Sequence, residues 1–242
     1  MATLYNHYAA EYKALAYQAY NLAQMQLDRI QQQGAKGKKS AVVVDIDETV
    51  LDNTPYEAES LLRDKPYPAC WDAWMRQASA SAIPGAVSFL KRAKAQGFEV
   101  FYISNRSNRY LMPTLKNLQK EGFPNADALH VFLKGVKSHR NPHPERKESR
   151  RKYIESGGYE IALLMGDNLR DFYRDRRRPK GRERLVQAHR AEFGRRFILL
   201  PNPMYGNWAR TLHTDDPSAV HALLEAMSAD LDASCSKPGD TK

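Results

Sequence analysis

The sequence predicts an α/β protein: a doubly wound, mainly parallel sheet with a small helical cap insertion and an N-terminal helix. Three observations predict it. Short apolar runs alternate with helical repeats along most of the chain, as successive βαβ units require. The helical repeats close on glycine, at Gly34, Gly97, Gly122 and Gly157-Gly158, where a residue without Cβ ends a helix at least cost. Polar and acidic residues gather where the apolar runs stop, the edge at which an open α/β sheet binds its ligands.

Residues 4–33 contain neither Gly nor Pro, and Leu4, Tyr8, Leu15, Ala19, Leu22, Ala23, Leu27 and Ile30 recur at three- and four-residue spacing. This predicts one long amphipathic helix, with residues 1–35 packing on the core. Ala41-Val42-Val43-Val44-Asp45-Ile46 is a β-branched run suited to a strand buried on both faces. Pro84-Gly85 opens a helix through Phe89 and Leu90, and Glu99 to Ser104 reads as the next strand. The alternation continues with a helix over 111–120, a strand over 130–133, a helix over 147–155 and the strand 161–165. A helix over 183–193 and a strand over 197–200 complete it. Residues 53–81, with Tyr56, Tyr67, Trp71 and Trp74, interrupt the first crossover and are expected to cap the carboxyl end of the sheet. Residues 135–145 read as an exposed loop and 234–242 as a frayed tail, so that 1–242 form a single domain.

Composition narrows the function classes. The 242 residues carry 37 Lys+Arg and 28 Asp+Glu, a net charge of +9. The excess is local: 134–196 hold 19 basic and 9 acidic residues, and the rest of the chain is close to neutral. A nucleic-acid interface would interleave aromatics with those charges, yet the run Arg174 to Arg190 has no Phe, Tyr or Trp, which ranks that class last. No apolar stretch approaches the roughly 18–20 residues of a membrane span, and the first residues do not read as a secretory leader. Cys70 and Cys235 are the only cysteines, too few for a disulfide framework or a Cys-ligated zinc. His139, His143 and His189 read as exposed and incidental.

Chemistry concentrates at the strand ends. Asp45-Ile46-Asp47-Glu48-Thr49 follows the first strand, Ser104-Asn105-Arg106 the second, and Gly166-Asp167-Asn168-Leu169-Arg170-Asp171 the strand ending at Met165. Converging carboxylates without His or Cys suit Mg²⁺, a hard cation that takes oxygen ligands. A bend after the strand would let Asp45 and Asp47 diverge, one towards a metal and the other towards a leaving group. Each motif alone is an ordinary cap or turn; their joint occurrence in this order is specific.

Asp45-Ile-Asp47-Glu-Thr-Val-Leu-Asp-Asn, Phe101-Tyr-Ile-Ser104-Asn-Arg, Lys147-x-x-Arg150 and Gly166-Asp167-Asn-Leu-x-Asp171-Phe resemble the four motifs of the haloacid dehalogenase superfamily, in its four-aspartate phosphatase branch. Within it the chain is similar to the class C acid phosphatases, bacterial outer-membrane lipoprotein 5'-nucleotidases. Glu11 to Tyr20, Pro84-Gly-Ala-Val and Leu200-Pro-Asn-x-x-Tyr205-Gly-x-Trp208 extend the likeness over nearly the whole chain. The resemblance implies an Mg²⁺-dependent phosphomonoesterase acting through an aspartyl-phosphate. Asp45 would be the nucleophile and Asp47 the acid and base. Asp45, the Asp47 carbonyl, Asp167 and Asp171 would hold Mg²⁺. Ser104, Asn105 and Lys147 would bind the phosphoryl group, with Lys134 as the rival lysine. Trp71 and Tyr205 would flank a nucleobase or pack within the cap. The implied partners are small phosphomonoesters, nucleoside monophosphates above others, not nucleic acid. The resemblance also implies a cell-envelope location, periplasmic or outer-membrane, with membrane attachment only through a lipid anchor that this sequence does not contain, and a homodimer as the candidate assembly. The rival reading is a binding or storage protein on the same fold, which the presence of both Asp45 and Asp47 opposes.

Overall fold

Side chains alternate across a strand, so Ala41-Val42-Val43-Val44 creates two apolar faces that must both be covered. In the computed structural model, which describes residues 1–34, 39–135, 146–173 and 179–228, helices cover both. The 234–242 tail with Cys235, nearly all of the 135–145 loop with His139 and His143, and Arg174 to Arg178 lie outside the described residues.

In chain order, α1 (Ala2–Tyr8) and α2 (Ala10–Gln32) precede β1 (Lys39–Val44). The antiparallel pair β2 (Leu51–Asp52) and β3 (Ser81–Ala82) brackets α3 (Thr54–Leu62) and α4 (Trp71–Gln77). Then follow α5 (Ala86–Ala95), β4 (Glu99–Ser107), α6 (Leu111–Glu121), β5 (Val131–Lys134), α7 (Lys147–Ser156) and β6 (Tyr159–Gly166). α8 (Pro179–Ala188), β7 (Phe197–Leu199), α9 (Asn207–Leu212) and α10 (Pro217–Ser228) complete the described chain. The main sheet has the order β5-β4-β1-β6-β7, and all four of its pairings are parallel. It is the α/β fold that the alternation predicts.

Val42, Val44, Val100, Tyr102, Leu163 and Met165 pack on one side with Ala16, Tyr20, Ala23 and Leu27 of α2 and Phe89 and Leu90 of α5. Ala41, Val43, Phe101, Ile103 and Leu164 pack on the other with Ile154 of α7, Phe172 and Phe197. Burying one such Leu or Phe side chain contributes about 1.5–3 kcal/mol, so the two cores fix the strands firmly. Connections leave β1 towards β4 and β6 towards β7, in opposite directions from adjacent strands; their carboxyl ends therefore open a crevice.

Two expectations are corrected. The single helix over 4–33 is two helices, because Ala9 is extended at φ −69° and ψ 131°. The turn lets α1 lie against α3, where His7 Nδ1 meets Thr54 Oγ1 at 2.6 Å and Asn6 is buried. Helix propensity at Ala9 yields to those tertiary contacts. The helix over 183–193 begins earlier, at Pro179, which needs no amide partner in a first turn, and ends at Ala188 before a short 3₁₀ turn over Arg190–Glu192. Among the described residues, no helix is long and apolar enough to cross a membrane.

Candidate active site

β1 delivers Asp45 to the crevice with its amide still bonded to the sheet, donating to the Met165 carbonyl at 2.9 Å. The chain then reverses. The amides of Thr49, Val50 and Leu51 all donate to the Ile46 carbonyl, and Glu48 takes a left-handed φ of 54°. Such a conformation is costly for a residue with a Cβ and needs external support. The buried Glu48 carboxylate supplies it, accepting from the Asn53 amide N–H at 2.8 Å and from Asn53 Nδ2 at 3.2 Å. From behind, the Tyr20 hydroxyl of α2 donates to the Thr49 carbonyl. This reversal separates the side chains of Asp45 and Asp47.

On one side, Asp45, Asp167 and Asp171 each place a carboxylate oxygen within 4.8 Å of the others. Lys147, the first residue of α7, is buried between two of them: its Nζ donates to Asp171 Oδ1 at 2.6 Å and to Asp45 Oδ1. Asp171 reaches this position because Gly166 has no side chain; a Cβ there would lie 2.2 Å from Asp171 Oδ2. The Asn168 amide donates to Asp171 Oδ2 at 2.9 Å, and Asn202 Nδ2 holds Asp167 Oδ2 at 2.7 Å. Burial first, opposed by Lys147 and aided by the charge of Asp171, pushes the Asp45 carboxyl up to about 7. Burial and the charges of Asp171 and Asp45 hold Asp167 well above the usual carboxylate range. Burial would lower Lys147, but the charges of Asp171 and Asp45 outweigh it and hold the ammonium above its ordinary value. The group is short of positive charge, and its hard oxygen donors fit Mg²⁺ rather than a thiophilic metal.

On the other side, Asp47 enters a network of donors. Oδ2 accepts from Ser104 Oγ at 3.1 Å, and Oδ1 accepts from Asn53 Nδ2 at 2.9 Å and Arg106 Nη2 at 2.7 Å. Arg106 Nε also lies within 3.0 Å of Oδ1, and its Nη1 donates to Thr114 Oγ1 of α6 at 3.1 Å. Burial would raise the Asp47 carboxyl, but the Arg106 guanidinium and the donors around it hold it below the usual range. The Asp47 carboxylate is thus outside the three-carboxylate group, and its expected place as a metal ligand rests on its backbone carbonyl. Ser104 is tied in turn to the Arg106 amide, 3.0 Å from its Oγ. Arg150, fully buried one turn after Lys147, donates to the Ser104 and Phe132 carbonyls and, at 3.2 Å, to Asn105 Oδ1.

The structure therefore brings Asp45, Lys147, Asp167 and Asp171 together, with Asp47 and Ser104 beside them. Lys134 is exposed at the end of β5, whereas Lys147 is 7% exposed between two carboxylates. Trp71 is half-buried, edge-on to Tyr56 at 4.8 Å and Tyr67 at 5.7 Å, so one part of it serves the packing of the cap. Tyr205 is half-buried in a loop that Asn202 ties to Asp167. His189, expected to be exposed, instead stacks on Tyr173 at 5.0 Å and is half-buried. The roles of Asn53, Trp74, Arg106 and Asn202 escaped the sequence reading. Arg106 stood inside a recognised segment, but its partner lies 59 residues away.

A crevice at the carboxyl edge of a parallel sheet, lined by Asp-x-Asp, Ser, Lys and a Gly-Asp turn, defines a phosphoryl-transfer site of the haloacid dehalogenase type. Over residues 1–208 the chain matches the family model of the HAD superfamily, subfamily IIIB (acid phosphatase), and belongs to that family. It is an acid phosphatase, hence a phosphomonoesterase. It is similar to the class C acid phosphatase from Bacillus anthracis, with 40% identity, a TM-score of 0.80 and coverage of 96% of this chain and 94% of that one. A tungstate-bound structure of that enzyme matches with 38% identity, a TM-score of 0.80 and 96% of both chains. Among curated relatives, acid phosphatase 1 of Solanum lycopersicum is 25% identical over 75% of this chain and 68% of its own. The stem 28 kDa glycoprotein of Glycine max is 28% identical over 69% of this chain and 60% of its own.

Proposed function

We propose that the protein is an Mg²⁺-dependent acid phosphatase of the class C type that hydrolyses 5'-nucleotides through an aspartyl-phosphate. The observation that carries this reading is the division of labour in the Asp45-x-Asp47 pair: Asp45 sits with Asp167, Asp171 and Lys147, while Asp47 is held apart by Ser104 and Arg106. Asp45, Asp167, Asp171 and the Asp47 carbonyl would hold Mg²⁺. Bound there, the cation supplies charge stabilisation for the phosphoryl oxygens. Asp45 attacks phosphorus as the ester P–O bond breaks; Asp47, a carboxylate beside Arg106 in the free site, takes up the proton of the monoanionic ester as it binds and gives it to the departing alkoxide. Asp47, now a carboxylate, takes a proton from water, whose oxygen attacks phosphorus and releases Asp45. Ser104, the Asn105 amide and Lys147 orient and neutralise the phosphoryl group.

Trp71 and Tyr205 are read as aromatic surfaces for the nucleobase. The class C likeness also leads us to place the protein at the bacterial cell envelope. Phosphate release from a 5'-mononucleotide and from a small aliphatic phosphate, with Mg²⁺ and with chelator, tests the assignment. Turnover that survives exhaustive chelation would exclude the metal. Tyr205→Ala should raise KM for the nucleotide about tenfold, as loss of one stacking contact would, and leave the aliphatic substrate nearly unaffected. A uniform loss on both would assign the ring to packing.

A further inference from the structure

Asn53 is fully buried where the cap departs from the core, and each of its polar groups is used. Its Nδ2 donates to Asp47 Oδ1 at 2.9 Å and to Glu48 Oε2 at 3.2 Å, and its backbone N–H to Glu48 Oε1 at 2.8 Å. Its Oδ1 accepts from Trp74 Nε1 at 2.8 Å. An indole N–H can only donate, so it dictates which end of the Asn53 amide faces the cap and which faces the two carboxylates. Reversing the amide would turn its oxygen towards two carboxylates and its N–H groups towards the indole donor, a loss of three hydrogen bonds at a buried amide. Trp74 stands on α4 three residues after Trp71, so the same short helix carries both rings.

We propose that Trp74 and Asn53 form a positioning relay from the cap to Asp47, in which the Trp74 N–H fixes the Asn53 amide and the amide fixes the rotamer of the Asp47 carboxylate. The relay makes the proton donor responsive to the seating of α4. It rests on Asp47 acting as proton donor in the reading above. A leaving group that needs no proton should not feel the relay, and one that needs a proton should.

The test uses the full chain with Mg²⁺ and compares kcat/KM on an alkyl phosphate and on dinitrophenyl phosphate for four proteins: wild type, Trp74→Phe, Asn53→Ala and Asp47→Asn. Trp74→Phe keeps an aromatic ring and removes the donor. It should lose about tenfold on the alkyl ester, a modest part of the 10²–10⁴ that acid–base catalysis supplies, and change little on the dinitrophenyl ester. Asn53→Ala breaks the same link at its other end and should show the same split, also in the event that Trp74→Phe proves insoluble. Equal losses on both esters, or none on either, would overturn the relay. If Asp47→Asn shows the split and both relay variants do not, the relay fails while the donor reading stands. If Asp47→Asn shows no split, the donor reading fails and the relay with it.

Discussion

Lys147 sets the balance of charge at the residue scale. Its buried ammonium bridges Asp45 and Asp171, and removing it would leave buried carboxylates without compensation. Lys147→Ala should therefore cost at least about a hundredfold in kcat/KM, in keeping with the loss of one preorganised electrostatic partner. Lys134→Ala should cost almost nothing, and the reverse ranking would show that the third motif is misplaced. Arg106 is its counterpart on the Asp47 side. Arg106 is buried but the Asp47 side chain is one-fifth exposed, so Arg106→Leu should lower the unfolding free energy by about 1.5–3 kcal/mol, the scale of a charged hydrogen bond, as well as slow turnover; urea unfolding measures the first. The motif order put Lys147 forward in the sequence, with Lys134 as its rival. Arg106 and Trp74 were not legible there, since a hydrogen bond across 59 or 21 residues leaves no mark in local spacing.

At the scale of elements, the strand-to-turn junctions do most to define the site. The turn after β6 works because Gly166 lets the Asp171 carboxylate fold back against the backbone. Gly166→Ala should push Asp171 out of the group and weaken Mg²⁺ binding about 10–100-fold, the scale of losses when support for a metal ligand fails. Calorimetric titration with Mg²⁺ reads this without reference to turnover, and unchanged affinity would contradict the packing argument. The strands and the glycine-closed helices were visible in the sequence because hydrophobic period and stop signals are local. The break at Ala9 was not, for neither Gly nor Pro stands within four residues of it; it is set by α1 lying on the cap. Residues 53–81 stand out in the sequence as an interruption of the first crossover, but the hydrogen bonds that Asn53 makes back to Asp47 and Glu48 required the folded geometry.

For the molecule as a whole, buried carboxylates couple stability to pH. Burial raises Asp45 from 3.8 to about 7, and Glu48 and Asp167 move in the same direction. A carboxyl that holds its proton more tightly when folded stabilises the folded state below its unfolded value, and that contribution fades as pH rises through the folded one. In the metal-free protein the loss should fall between pH 3.8 and about 7. Asp45→Asn, which cannot ionise, should therefore gain in Tm relative to wild type as pH rises from about 5 to about 7.5, and added Mg²⁺ should stabilise wild type most at the upper end. A constant difference in Tm across that range would remove Asp45 as the source.

Every other role at the site depends on Asp45 attacking phosphorus. Rapid acid quench during turnover, followed by peptide mass spectrometry, tests it directly. A phosphorylated peptide carrying Asp45 should appear in wild type, persist longer in Asp47→Asn because the water-activating carboxylate is gone, and be absent from Asp45→Asn. Undiminished hydrolysis by well-folded Asp45→Asn, with no labelled Asp45 peptide in wild type, would contradict the account.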